Sequence, residues 1–331
     1  MIGVFKQKNS INALVLFVYA LVLKFPMFLH PVVPVLHKED NYFYRFILNA
    51  LDALFHYIPV FFSLITFLLL FMQATLLNTI CNYHRILPKP NYLPGMAYIL
   101  VTSLLQDWNH FSAPLLVNSI MIWSWYKMIG LYGSKTPIGA IFNIGLFIGI
   151  SSLLYMPAIA FLILLFFALL VMRSVRLNEW LICLLGVTTP YYFYAAYLFF
   201  SNKWSWLHLF QPINVALPSP GQSLWLAIGG ILLIIPFLIG GYFVQENLRK
   251  MLIQVRKNWS LMLIYLLFAL FIPFLNNTAE GFENWILIIV PFAAFHACTY
   301  LYPPQRWIPV VIFWLSILFI LVYQYGGPGW H

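Results

Sequence analysis

The sequence predicts an all-α integral membrane protein: a bundle of about eleven transmembrane helices, with an interfacial amphipathic helix after the first. Three observations carry this. Of 331 residues, 63% are hydrophobic and only 8% are charged, whereas soluble domains carry roughly 25% charged residues. Apolar runs of membrane-crossing or nearly membrane-crossing length recur along the whole chain. The charges between those runs sort by sign. The net charge of +9 does not mark a nucleic-acid partner, because the basic residues sit between apolar runs, where membrane orientation accounts for them. The partners expected from composition are membrane lipids, and no nucleic acid.

The N-terminal MIGVFKQKNS ahead of an apolar run resembles a signal peptide. The run continues to Leu29 with no small-residue cleavage site, so it reads as a retained first span. After it come Lys38-Glu39-Asp40-Asn41, with the only adjacent acidic pair in the chain, and then an amphipathic stretch over Tyr42–Tyr57. Phe43, Phe46, Ile47, Ala50, Leu51, Leu54 and Phe55 recur at the helical period and form one apolar face. Arg45, Asn49, Asp52 and His56 fall opposite, with Asp52 and His56 one turn apart. A helix of that kind directly after a span is expected in the membrane surface, capped by Asp40 or Asn41.

Spans are expected at about 11–29, 58–81, 94–106, 112–131, 137–153, 156–172, 180–200, 223–244, 260–275, 285–302 and 308–325. The third and fifth are short, which neighbouring helices tolerate if they cover the ends. With the N-terminus inside, the inner loops hold thirteen of the 17 basic residues, Lys6 and Lys8 through Arg306, and the outer side holds Lys38, Arg45 and Lys203. That is a positive-inside pattern, and it places the C-terminus outside. Of the acids, Glu39, Asp40, Asp52, Asp107, Glu280 and Glu283 fall outside, and Glu179 and Glu246 inside. No soluble domain or internal repeat stands out, so residues 1–331 read as one membrane domain. An inner (cytoplasmic) membrane, multi-pass location is expected.

Candidate chemistry is sparse. There is no Walker A, GxGxxG or HExxH motif, and no His or Cys cluster at metal-ligand spacing. Cys81, Cys183 and Cys298 lie in or beside apolar segments and read as free thiols. Within the spans, His296 reads as a hydrogen-bonded core residue rather than a proton relay; Gln73, Asn118 and Asn143 are the neutral polar candidates. What remains is ionic residues at the outer rim. Glu39 and Asp40 are the candidate catalytic carboxylates, as general base on an acceptor hydroxyl or as ligands of a divalent cation such as Mg or Mn. Arg45 and His110 are candidates to hold a phosphate. Asp52, His56, Asp107 and Asn118 complete the candidate substrate-binding set. A solvated surface loop would carry the same residues.

The order of features over residues 12–200 resembles the GT-C superfamily of membrane glycosyltransferases, which use polyprenyl-phosphate-linked sugars. Lys38-Glu39-Asp40-Asn41-Tyr42 with the following helix is similar to that family's acidic outer-loop motif and juxtamembrane helix. Leu23-Lys24-Phe25-Pro26 is similar to the exit of its first span, and Tyr92-Leu93-Pro94 to the entry of a short third span. Gly145 to Pro157 is similar to a Gly-rich start leading to an apolar-Pro run. Asp107 or Asn118 stands where members carry a further acid. A large C-terminal outer domain is missing; residues 223–325 are spans instead. The resemblance implies transfer of a sugar or related group from a polyprenyl-phosphate donor at the outer face. The chain also resembles a group of uncharacterised polytopic proteins of Bacteroidota, through Asn91-Tyr92-Leu93-Pro94-Gly95-Met96, Glu179-Trp180-Leu181-Ile182 and Thr189-Pro190-Tyr191-Tyr192-Phe193; this implies an inner-membrane location and no set activity. From other classes, a non-catalytic subunit or scaffold of an envelope or secretion complex fits the lack of strong motifs, its partners being other membrane-complex subunits. A lipid flippase or transporter fits the span count.

Overall fold

The computed structural model describes residues 2–326 apart from 8, 35, 37–39, 56, 57, 214, 216–222 and 276–281. Among them there are helices and no strands. A short α1 (Ile2–Phe5) precedes α2 (Ser10–Lys24), α3 (Pro26–Leu29) and the amphipathic α4 (Tyr42–Phe55). There follow α5 (Pro59–Tyr83), α6 (Leu93–Thr102), α7 (Ala113–Ile129), α8 (Ile138–Leu154), α9 (Phe161–Met172) and α10 (Leu177–Phe200). The chain ends with a short α11 (Trp206–Leu209), then α12 (Leu224–Asn247), α13 (Ile253–Phe271), α14 (Ile289–Leu301) and α15 (Trp307–Gly326).

Each of the eleven expected apolar runs coincides with a helix. Six are long and apolar enough to cross a membrane: Pro59–Tyr83, Leu177–Phe200, Leu224–Lys250, Ile253–Leu275, Glu283–Leu301 and Trp307–Gly326. The chain is a multi-pass membrane protein. The shortest of the rest, α6, has 10 residues and reaches about 15 Å at 1.5 Å per residue, half of a hydrocarbon core. All of its residues are buried, so its open ends face protein and not lipid. It stops before the expected boundary near 106. The Thr102 and Ser103 hydroxyls both donate to the Ile99 carbonyl, at 3.0 and 2.8 Å, competing with the backbone for the last turn.

Prolines inside helices are absorbed by neighbours. Pro236 interrupts α12, and α14 takes the carbonyls nearby: His296 meets the Leu233 carbonyl at 2.8 Å, and the Thr299 hydroxyl donates to the Pro236 carbonyl. His296 is thus a hydrogen-bonded core residue, 1% exposed.

The amphipathic helix sits differently from expectation. Tyr44 and Leu48 are buried, with Phe43, Ile47 and Leu51 packed beside them, while Phe46 and Leu54 are 53% and 70% exposed. The expected apolar face is therefore shared between the bundle and the outside. A helix lying between two apolar neighbours presents a wider apolar arc than a helix with one. Asn41, whose backbone carbonyl accepts from the Arg45 N–H at 3.0 Å, also ties the helix start to α8: its side-chain amide donates to the Ser152 and Leu153 carbonyls at 2.9 and 3.0 Å, satisfying the last turn of α8.

The two ends of the bundle differ in charge. At one end Arg173 donates Nε to both oxygens of Glu179 at 3.1 Å and Nη1 to the Ser134 carbonyl at 2.9 Å, and Lys257 lies 4.7 Å from the centre of the Tyr132 ring. Arg85 and Lys127 border a common cavity there. At the other end stand Asp40, Asp107 and Glu283. Because Glu179 is buried, Arg173→Ala leaves its carboxylate without a partner, and the expected loss is about 3–5 kcal/mol. Urea unfolding in detergent checks this. The double variant Arg173→Ala/Glu179→Ala should lose less than the two single variants combined.

Candidate functional site

The acidic end is organised by the turn after α6. Ser103 ends that helix, Gln106–Asn109 makes one 3-10 turn, and two side chains of the turn clasp the segment before α14. Asp107 Oδ2 accepts from the Phe282 backbone N–H at 2.6 Å, and the Trp108 indole donates to the Phe282 carbonyl at 2.9 Å. A charged acceptor on a backbone N–H is among the stronger hydrogen bonds. The clasp fixes Glu283 beside Asp107, and Glu283 lies within electrostatic reach of both Asp107 and Asp40.

Asp40 enters from the other direction. Arg45 Nε donates to the Asp40 carbonyl at 3.0 Å, folding the start of α4 back on the loop. One residue before Arg45, Tyr44 stacks on Phe111 at 6.4 Å. Burial first, then the Asp40 and Glu283 carboxylates, push the Tyr44 phenol up, so it stays protonated. Burial pulls the His110 imidazole below its ordinary pKa, with Asp107 opposing. His110 is therefore neutral at pH 7, with one ring nitrogen as donor and one as acceptor.

Two cavities flank the turn. One of ≈ 230 Å³ is polar in part, and Ser63, Thr66, Gln106, Asn109 and His110 contribute to its wall. The other, ≈ 390 Å³, is lined almost wholly by apolar groups, among them Leu105, Trp108, Gly229, Phe237, Phe282 and Phe292. It lies along α12, whose outward Ile228, Ile231 and Leu238 are exposed. The same turn, which carries Asp107, thus supplies polar groups to one cavity and an indole to the other.

Of the residues expected at the site, Asp40, Arg45, Asp107 and His110 share this end. Glu39 and His56 lie outside the described residues. Asp52 stands further along α4 with one carboxylate oxygen buried and without a hydrogen-bond partner among the described residues. Asn118 is elsewhere: it is fully buried on α7, its amide donating to the Tyr98 hydroxyl at 2.8 Å, while Tyr98 donates to Gln73 and Gln73 donates to the Ser119 hydroxyl at 2.6 Å. That network joins α5, α6 and α7, with the buried Asn118 Oδ1 left without a donor among the described residues. Among the described residues no three His, Cys, Asp or Glu side chains converge as a metal site. Reading for an acidic motif passed over two groups. Glu283 sits on the acidic side just before an apolar run. Lys24, an ionisable residue at the end of an apolar helix, carries the signal of intramembrane placement.

No curated protein and no solved structure matches the chain. A family model does, over residues 42–327, a stretch from the start of α4 to just past α15 that holds Asp107, Glu283 and the whole lining of the apolar cavity. The chain belongs to that family, DUF6427, a family of unknown function.

Proposed function

We propose that the chain carries out a GT-C-like transfer of a sugar, or a related group, from a polyprenyl-phosphate donor at the outer face of the inner membrane. In this reading the chain crosses the bilayer at each of the eleven apolar runs, the short α6 together with the turn that follows it, with the basic end inside and the acidic end outside. One observation carries it: a turn holding Asp107 against Glu283, near Asp40, with a polar cavity on one side and an apolar groove along the outward α12 on the other. A lipid-linked donor needs that pairing, a groove for the chain and carboxylates at its end.

The chemistry is a displacement. The acceptor hydroxyl oxygen bonds to the donor carbon, and the bond from that carbon to the phosphate oxygen breaks, its electrons leaving with the lipid phosphate. The hydroxyl proton passes to a carboxylate, Glu39 or Asp40 acting as general base, with Asp107 as helper. Glu39 and Asp40 are also the pair that would hold a divalent cation.

The test is genetic. Glu39→Ala and Asp40→Ala are made singly and together and compared with a deletion for envelope glycan and lipid profile. The double variant is expected to reproduce the deletion. A wild-type profile from a double variant that accumulates normally would remove the catalytic assignment.

A second reading, a non-catalytic subunit of an envelope complex, is favoured by the outward face of α10, where Tyr192, Phe193, Phe199 and Phe200 are all more than 60% exposed. Stoichiometric co-purification of other subunits in mild detergent would favour it.

A further inference from the structure

Lys24 is among the largest fully buried side chains, at 0% exposure. Its Nζ donates to Asn109 Oδ1, and its other N–H groups have no acceptor among the described residues. The one ion pair among the described residues is Arg173 with Glu179, at the opposite end of the bundle. A fully buried amine held by one neutral amide keeps its charge only where a counter-ion accompanies it, and a low-dielectric interior otherwise favours the neutral form.

Asn109 shows where the counter-ion would sit. It bonds Lys24 on one side and lines the ≈ 230 Å³ cavity on the other. Thr66, 1% exposed, lines the same cavity, and its buried hydroxyl has no hydrogen-bond partner among the described residues. His110 adds a ring N–H. The nearest acid on the turn, Asp107, is turned away by its bond to the Phe282 N–H and is not part of the cavity wall. The wall therefore presents polar side chains, His110 and Asn109 among them, and Lys24 stands behind Asn109 without lining the cavity itself. Its volume is below the roughly 300–1,000 Å³ of pockets that enclose whole drug-sized ligands, so it suits one compact oxyanion.

We propose that this cavity is an anion site for a phosphate group, with Lys24 as its cation and Thr66 and His110 as its neutral donors. The phosphate is either the headgroup of a membrane lipid or free phosphate. The proposal is independent of the transferase reading, since a scaffold or a transporter with this cavity would bind the same group.

The experiment uses the full chain in detergent micelles and follows its melting temperature. One arm titrates inorganic phosphate against chloride at matched ionic strength. The other adds phosphatidic acid against phosphatidylcholine. Wild type is expected to gain at least about 3 °C at saturation in one or both arms. Response to inorganic phosphate identifies the free ion as sufficient; response to phosphatidic acid alone identifies a lipid headgroup. Lys24→Met is expected to melt at or above wild type without ligand, because the buried amine is gone, and to lose the response. Should Lys24→Met fail to fold, Thr66→Val decides: it keeps shape and charge, removes one donor, and is expected to weaken the apparent affinity at least five-fold. Absence of any response in wild type, or a response unchanged in the variants, overturns the site. Neither result bears on the Glu39 and Asp40 test.

Discussion

Gly186→Val will unfold the protein or leave it too unstable to purify. Gly186 faces α8 from α10, and a Cβ built there collides with the Phe142 carbonyl. The approach is reciprocal. A Cβ at Gly145 would stand 2.5 Å from the Cys183 carbonyl, and one at Gly149 would stand 2.5 Å from the Val187 carbonyl. Three glycines therefore let two backbones touch over more than a full turn, which is how helices gain packing energy where no hydrophobic effect separates them from lipid. Overpacking costs about 1–3 kcal/mol when side chains can shift. Here the obstacle is backbone, so the loss should reach or exceed the top of that range, a large share of a typical total of about 5–15 kcal/mol. The measurement is melting temperature in detergent, graded through Gly186→Ala and Gly186→Val. Gly241→Ala on α12 is the control: a Cβ there meets nothing within 4 Å, and exchanging a mid-helix glycine for alanine should gain about 0.5–1 kcal/mol. Equal behaviour of the two sites would mean that α8 and α10 are not packed in this register.

Helix positions were legible because a run of apolar residues has one meaning in a membrane. Ends and faces were less so. The early stop of α6 depends on Thr102 and Ser103 both choosing the Ile99 carbonyl, a local competition that hydropathy does not register. The orientation of α4 depends on what packs against it, and its periodicity fits a helix turned either way. Site residues show the same limit. Asp107 is legible in the sequence as an acid in a short turn between two apolar runs. Asn118 was grouped with it on family pattern, and only packing reveals that Gln73 and Tyr98 enclose it. Glu283 reaches the cluster through a backbone contact at Phe282, some 175 residues from Asp107 in sequence, which no local motif encodes. Lys24 looked like part of a span exit. Its partner Asn109 lies 85 residues away.

Under the proposed transferase reading, in which Asp107 assists the Glu39 or Asp40 base, Asp107→Asn is expected to leave the fold intact and lower that transfer by up to about 10²-fold, the lower end of what a positioned acid or base contributes. The substitution separates two roles of one side chain. An amide oxygen still accepts from the Phe282 N–H, so the clasp survives, while the charge next to Glu283 and Asp40 disappears. Relief of repulsion between neighbouring carboxylates should even raise the melting temperature slightly, the pattern expected where function holds like charges together. Asp107→Leu removes the acceptor as well, leaves the Phe282 N–H unpaired and should cost about 1–3 kcal/mol of stability. Glu283→Gln should mirror the asparagine variant, and the double variant should lose less activity than the two single losses multiplied, because the charges act on each other. Assay in proteoliposomes with a polyprenyl-phosphate sugar gives the answer. Should the asparagine variant keep full activity while the leucine variant loses its fold, Asp107 is a structural clasp and the reaction belongs to other carboxylates.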